Sequence, residues 1–172
     1  MPFTPFHFGP AAAAHAIAPK HISFLAFCSV NVLIDIEPLY FMLTDQYPLH
    51  RFLHTYLGAS AAILLTLALF LAAQRLAQRI PLPNLFHWKQ LTLPSVALGA
   101  ALGAFSHIAL DSIMHADIHP LAPFSDTNAL FRVISLRALH IGCVSAGLVG
   151  AIALALRAAF RPSPGTGNAN AL

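Results

Sequence analysis

Titratable side chains are concentrated in one short stretch, SHIALDSIMHADIHP, which ends one of the longest apolar runs of the chain. It contains His107, Asp111, His115, Asp117 and His119. Imidazole nitrogens and carboxylate oxygens are the ligands that zinc, manganese and non-haem iron bind in proteins. Because only 9 % of all residues are charged, this concentration predicts a functional site that binds a metal.

Helical spacing would bring some of these groups onto one face. His107 and Asp111 are four residues apart, a separation that stacks side chains about 6 Å apart on an α-helix. His50 and His54 repeat the spacing in HRFLHTYLGA, at the start of another apolar run. Such pairs arise by chance in many helices, so neither pair is specific by itself. The prediction depends on several segments converging on one site.

Two further segments supply candidate groups. Asp35 and Glu37 lie in LIDIEP, and we expect the helix there to end near Ile36 because a residue that precedes proline disfavours helix. His7 precedes the first apolar run. A charged side chain within a membrane span costs roughly 2.5–3.5 kcal/mol on insertion scales, so such residues are functional by default. This argument applies most strongly to Asp35, His54, His107 and Asp111.

The elements that position these residues are predicted to be membrane helices. Hydrophobic residues make up 58 % of the chain, against about 45–50 % in ordinary soluble domains. Four apolar runs, over residues 22–36, 52–74, 91–110 and 138–156, reach or approach the roughly 20 residues that cross a bilayer. A fifth, over residues 6–18, predicts a short or re-entrant helix.

The sequence therefore predicts an all-α, polytopic membrane bundle of four to five transmembrane helices, the N-terminal one short or re-entrant. Residues 1–161 would form a single integral-membrane domain. Residues 162–172, rich in proline, glycine and asparagine, are predicted to be a disordered tail. No basic tract suggests a nucleic-acid partner, so the predicted partner is the lipid bilayer.

Basic residues are distributed unequally between the two sides of the predicted bundle. One side carries Lys20, Arg75, Arg79, Lys89, Arg157 and Arg161, and the other carries Arg51, Arg132 and Arg137. The positive-inside rule makes the first side cytoplasmic. All six acidic residues fall toward the opposite, extracytoplasmic face, together with the histidines of the predicted site.

The order of the motifs resembles that of the YdjM-like family of membrane-bound metal-dependent hydrolases, which are small bacterial inner-membrane proteins. His7, the Asp35–Glu37 pair, HRFLHT and SHIALD follow one another as in that family, over roughly residues 5–125. Glu37 stands where the family has a second aspartate, and His50 and His54 are one residue closer than the family's paired histidines. The resemblance implies a hydrolase in the bacterial inner membrane.

Metal-dependent hydrolysis gives each candidate residue a role. The predicted metal ligands are His7, Asp35, His54, His107 and Asp111, holding one or two divalent ions per chain, with zinc as the first choice and manganese or iron as alternatives. Glu37 is the candidate general base, and His50 or His115 a proton donor or substrate-orienting group. A site at interfacial depth suits an amphipathic substrate, a lipid or lipid-linked phosphoester.

Two alternatives are open. A cation or proton transporter or channel could use the same His/Asp cluster, but it predicts polar residues across the whole membrane. The inner halves of the long runs, such as ILLTLALFLAA and SVALGAALGAF, are instead apolar. A non-catalytic membrane scaffold would make the clustering accidental. Under either alternative, as under the hydrolase, Asp117, His119 and Asp126 are predicted to be ordinary loop residues.

The predicted orientation can be tested by cysteine labelling. In a background without Cys28 and Cys143, Asp126→Cys should react with membrane-impermeant thiol reagents in intact cells, because it lies on the face with fewer basic residues. Arg79→Cys, on the opposite side, is the matched control and should react only after lysis. The reverse labelling pattern would place the site in the cytoplasm.

Overall fold

A computed structural model describes residues 5–160, and these residues form only helices and connecting turns. The helices are α1 (Phe8–Ile17), α2 (Phe24–Leu43), α3 (Tyr56–Ala77), α4 (Leu93–Met114) and α5 (Leu136–Ala159), with single 3₁₀ segments at Pro5–His7, Phe52–His54 and Leu85–Gln90. The predicted all-α membrane bundle is confirmed. The predicted disordered tail, residues 162–172, lies outside the described residues.

Four of the helices are long and apolar enough to cross a membrane. Helices α2 to α5 contain 20, 22, 22 and 24 residues, and about 20 residues are needed to span the hydrocarbon core. Large apolar side chains cover their outer surfaces, as at Leu64, Leu69, Leu148 and Val149. Such a surface suits contact with lipid. Helix α1, with ten residues, is too short to span, as predicted for the N-terminal segment.

Helix α2 does not end near Ile36 as predicted; it continues to Leu43 with Pro38 inside it. Proline removes one backbone hydrogen bond but fixes φ near the helical value, about −65°. Pro38 is buried, so packing within the bundle offsets the lost bond, and proline is generally tolerated in membrane helices when neighbouring groups compensate. Asp35 and Glu37 consequently lie within the helix rather than at its end.

Helices α2 and α4 run parallel and pack closely along a seam of small residues. In α4, Ser95, Gly99 and Gly103 recur at intervals of four and lead into His107 and Asp111. Small residues at this spacing let membrane helices approach one another. Gly99 lies against the backbone of Ser23, the N-cap of α2, and Gly103 lies against that of Phe27.

The register of the two helices is fixed at the end remote from the acidic residues. The backbone N–H of Ser23 donates a hydrogen bond to the carbonyl of Ser95 at 3.0 Å. Twelve residues separate Ser23 from Asp35, and twelve separate Ser95 from His107. Because both helices rise about 1.5 Å per residue, equal spacing brings Asp35 level with His107.

Helix α1 packs against α5 and contacts α2. Gly9 lies against the backbone of Cys143 and Gly147, and Gly150 lies against that of Ala12 and Ala13. This close packing carries His7, at the beginning of α1, into the interior of the bundle, where it is 2 % exposed.

The glycine seam predicts a substitution that separates α2 from α4. A Cβ added at Gly103 would lie 2.7 Å from the Phe27 carbonyl oxygen, so we expect Gly103→Ala to lower stability by about 1–3 kcal/mol. Gly142→Ala is the matched control, since nothing lies within 4 Å of a Cβ there; it should leave stability unchanged or raise it slightly. Thermal unfolding in detergent measures the stability of both variants, and equal melting temperatures would contradict close packing of α2 and α4 at Gly103.

Candidate metal centre

Four predicted ligands meet at one end of the bundle. Asp35, His54, His107 and Asp111 each offer one ligand atom, and these atoms all lie within 4.8 Å of one another. The four side chains, which we call the primary cluster, come from α2, the turn before α3, and α4. None of the four residues is more than 5 % exposed. The primary cluster could therefore hold a metal ion.

Distances within the primary cluster are those of groups gathered around a common centre. The Nε2 atom of His107 lies 3.3 Å from an oxygen of Asp35 and 3.3 Å from one of Asp111. The Nε2 atom of His54 lies 3.8 and 3.7 Å from oxygens of the same two aspartates. The two Nε2 atoms are 3.4 Å apart.

Asn31 determines which nitrogen of His107 carries a proton. The side-chain amide of Asn31 donates to the Phe27 carbonyl at 2.6 Å, so its oxygen must face His107. That oxygen lies 2.7 Å from Nδ1 of His107, and it can only accept. Nδ1 of His107 therefore carries a hydrogen, and Nε2 is available to bind an ion within the primary cluster.

Glu37 has a similar position behind His54. One Glu37 oxygen lies 3.5 Å from Nδ1 of His54, and the carboxylate also accepts the backbone N–H groups of Arg51 and Leu53, at 3.1 and 3.0 Å. Glu37 thus contacts the side of His54 that faces away from the other ligands. This is the arrangement of a carboxylate that orients a metal-binding histidine.

With both imidazoles neutral, the primary cluster is a set of acceptors suited to a cation. With Nδ1 as the hydrogen-bearing nitrogen, the Nε2 lone pairs of His54 and His107 point toward two carboxylates, and lone pairs in such proximity repel one another. In the neutral form that binds metals, the two imidazoles would leave the two carboxylates with a net charge of about −2 in a buried site, which is costly unless it is compensated. A divalent cation satisfies both requirements.

Unpaired buried atoms beside the primary cluster support the same conclusion. Among residues 5–160, both ring nitrogens of His7 and the Oδ1 atom of Asp111 are buried without a hydrogen-bond partner. His7 Nε2 lies 3.0 Å from that oxygen, in a geometry unsuited to a hydrogen bond. Buried polar atoms are normally paired, so these fit a site whose remaining partner is an ion. The fifth predicted ligand, His7, is thus adjacent to the primary cluster.

A second group shares Asp111 with the first. His50, Asp111 and His115 also offer three ligand atoms within 4.8 Å of one another, and the rings of His50 and His115 are 4.3 Å apart. We call His50 and His115 the secondary pair. Nδ1 of His50 lies 3.0 Å from either oxygen of Asp117, which also accepts the backbone N–H groups of Leu49 and His50.

Electrostatics differ between the two groups. Burial, together with the neighbouring rings of His54 and His115, lowers the pKa of His50 to about 4, and burial also lowers the pKa of His115. Burial opposes protonation of His54 as well, but the carboxylates of Asp111 and Glu37 outweigh it and raise its pKa. The secondary pair is consequently neutral at pH 7, the state in which imidazole binds metals.

The helical spacing predicted for His50 and His54 is not observed, and His115 lies outside regular helix. His50 and His54 do not share a helix face, because α3 begins only at Tyr56 and Phe52–His54 is a 3₁₀ turn. His115 lies beyond the end of α4 in extended backbone, with φ −115° and ψ 128°. His115 is therefore brought close to Asp111 by a change of chain direction after α4, and not by the helix itself.

Sequence reasoning missed two residues. Asp117 was expected to be an ordinary loop residue, yet it binds His50; nothing in its local pattern distinguishes it from Asp126. Asn31 carried a usable signal, since it is a polar residue inside an apolar run, four residues before Asp35. His119 fits the loop prediction, because it is exposed and its Nδ1 contacts the Asp126 carbonyl at 2.5 Å.

Apolar cavities lie away from the primary cluster. One of about 320 Å³ is lined by side chains such as Leu25, Phe70 and Trp88, and another of about 410 Å³ by Ala12, Phe24 and Leu154. Both lie toward the opposite end of the bundle, near the start of α2.

Comparison of the chain with protein-family models, with characterised proteins and with solved structures finds no match. The candidate metal centre is accordingly defined by its geometry: a buried primary cluster of two aspartates and two histidines, in a bundle with four helices long and apolar enough to cross a membrane.

Proposed function

We propose that the protein is a membrane-embedded, metal-dependent hydrolase that acts on an amphipathic substrate, a lipid or lipid-linked phosphoester. The observation that carries the proposal is the convergence of Asp35, His54, His107 and Asp111 on one buried point. A divalent metal held there would act as a Lewis acid and would activate water for hydrolysis. The motif order shared with the YdjM-like family points in the same direction.

The depth of the primary cluster favours a substrate that lies in the bilayer. Asp111 is three residues from the end of α4, and His54 is two residues before α3 begins. At about 1.5 Å per residue, these ligands lie about 5 Å from the helix ends. A phosphoester headgroup could reach that depth while its acyl or prenyl chains remain among the lipids, on what we propose is the extracytoplasmic face of a bacterial inner membrane.

The interior of the bundle below the primary cluster favours hydrolysis over transport. The buried core there consists of small and apolar side chains from α2, α3 and α4: Ala26, Val30, Ala59, Ala62, Val96, Ala100 and Ala104. A proton or cation path needs polar groups or water along its length. The apolar core thus supports a site that is reached from one face only.

Glu37 and Asn31 have positioning roles in this proposal. Asn31 holds the Nδ1 proton of His107, and Glu37 faces Nδ1 of His54, so both direct Nε2 toward the metal. We therefore propose Glu37 as an orienting group in place of the general base predicted from sequence. A proton acceptor for water would need to contact the other side of the primary cluster.

Loss of the metal ligands should remove the metal without preventing insertion. We expect His107→Ala and Asp111→Ala each to lower bound metal at least about tenfold, because alanine supplies no ligand and is less costly in a membrane helix. His119→Ala, at an exposed loop position, should retain wild-type metal content. Elemental analysis of detergent-purified protein measures this, and unchanged metal in the first two variants would contradict the site.

Hydrolysis is tested separately with defined lipids. Metal-loaded wild-type protein should release phosphate or headgroup from phosphatidic acid or phosphatidylglycerol in mixed micelles, and the activity should disappear with chelator and return with added zinc or manganese. His107→Ala should be inactive under the same conditions and His119→Ala active. If the protein binds metal but hydrolyses neither phosphoester, the metal site is supported and the proposed reaction is contradicted.

The role of Asn31 predicts a graded effect on metal affinity. Asn31→Leu removes the acceptor for the Nδ1 proton of His107 and should weaken metal binding about 10–100-fold, whereas Asn31→Asp keeps an acceptor and should retain more of it. Thr66→Val is a suitable control, since Thr66 is another buried polar residue that only bonds its own helix, at the Ala62 carbonyl. Metal titration should separate the variants, and equal affinity of Asn31→Leu and Thr66→Val would rule the role out.

A further inference from the structure

We infer that the centre is binuclear, with Asp111 as the bridging ligand: one ion is held by the primary cluster and a second by the secondary pair, His50 and His115, together with Asp111. The inference rests on the metal site of the proposed function but not on its reaction. It replaces the proton-donor or substrate-orienting role predicted for His50 and His115 with direct coordination.

The two oxygens of Asp111 face different neighbours. Its Oδ2 atom lies 3.3 Å from Nε2 of His107 and 3.7 Å from Nε2 of His54, within the primary cluster. Its Oδ1 atom is buried without a hydrogen-bond partner, and His7 lies 3.0 Å from it. A carboxylate with one oxygen committed to the first ion and the other unpaired is suited to bridge two ions.

His50 has the same arrangement as the two histidines of the primary cluster. Its Nδ1 atom lies 3.0 Å from the carboxylate of Asp117, as Nδ1 of His107 faces Asn31 and Nδ1 of His54 faces Glu37. Histidines that bind metals almost always donate their other ring N–H to such an outer acceptor. The Nε2 atom of His50 is thus the one left to bind an ion, beside His115 and Asp111.

Proximity of the two groups fits a pair of ions. The rings of His50 and His54, one from each group, are 4.6 Å apart, and all three ligand atoms of the second group lie within 4.8 Å of one another. Metal ions in binuclear hydrolytic sites are about 3.5–4 Å apart. Two groups that share a carboxylate and have rings this close are compatible with such a separation.

Charge balance also accommodates a second divalent ion. Four carboxylates surround the two groups, on Asp35, Glu37, Asp111 and Asp117. A single divalent ion would offset two of these charges. The guanidinium of the nearby Arg51 lies over the Phe41 ring and its Nε bonds the Pro48 carbonyl, so among residues 5–160 it forms no ion pair with these carboxylates.

Manganese is the probe for the experiment, because two coupled Mn²⁺ ions give an electron paramagnetic resonance spectrum different from that of an isolated ion. Metal-free full-length protein in detergent is loaded with MnCl₂, excess ion is removed, and manganese per chain is measured with the spectrum. We expect two ions with exchange coupling in the wild type. His115→Ala and His50→Gln should each hold one ion with an uncoupled six-line spectrum, and His119→Ala should behave as wild type.

Asp117→Ala provides a variant that leaves every proposed ligand in place but removes the acceptor for Nδ1 of His50. It should lose the second ion at manganese concentrations that still saturate the first, because His50 is no longer held in its orientation. One ion in the wild type at saturation, or two coupled ions in His115→Ala and His50→Gln, would overturn the binuclear centre and leave the proposed function intact. No bound ion in the wild type would overturn both.

Discussion

A carboxylate buried inside a membrane helix imposes the main constraint on this fold. Asp111 lies in α4 and is 3 % exposed, where an ionised side chain is costly unless charge and hydrogen-bonding groups compensate it. Three histidines approach it, from the start of α1, the turn before α3, and α4 itself: His7, His54 and His107. His7 and His54 come from segments that must begin or turn at the depth of Asp111, so this one group constrains how α1 and α3 are placed around α4.

Contacts at Nδ1 determine the orientation of His50, His54 and His107. Asn31, Glu37 and Asp117 each face an Nδ1 atom, and two of these residues also bind backbone N–H groups of the segment that carries the histidine. Orientation of the ring and conformation of the chain are thereby coupled. Ligands on loops are normally positioned less precisely than ligands on helices. The carboxylates of Glu37 and Asp117 fix the turn that carries His50 and His54, which lies outside α-helix.

Sequence alone predicted the apolar helices and all four residues of the primary cluster, because both follow from local rules. A long apolar run identifies a span, and a charged residue within such a run is expensive enough to demand a function. The end of α2 was predicted wrongly since the local cost of Pro38 is outweighed by packing in the bundle. Asp117 could not be found, because its contact with His50 joins residues 67 positions apart through a turn that no periodicity encodes.

The short first helix follows from the depth of the centre. His7 lies at the level of Asp111. Helix α1 follows it and extends for only ten residues, about 15 Å, before the chain reverses direction ahead of Ser23. Helix α2 then rises twelve residues to return at Asp35, about 18 Å. Helix α1 and the part of α2 up to Asp35 are therefore similar in length, which places His7 and Asp35 at the same level, at the candidate metal centre. A full-length first helix would have carried His7 beyond the other ligands.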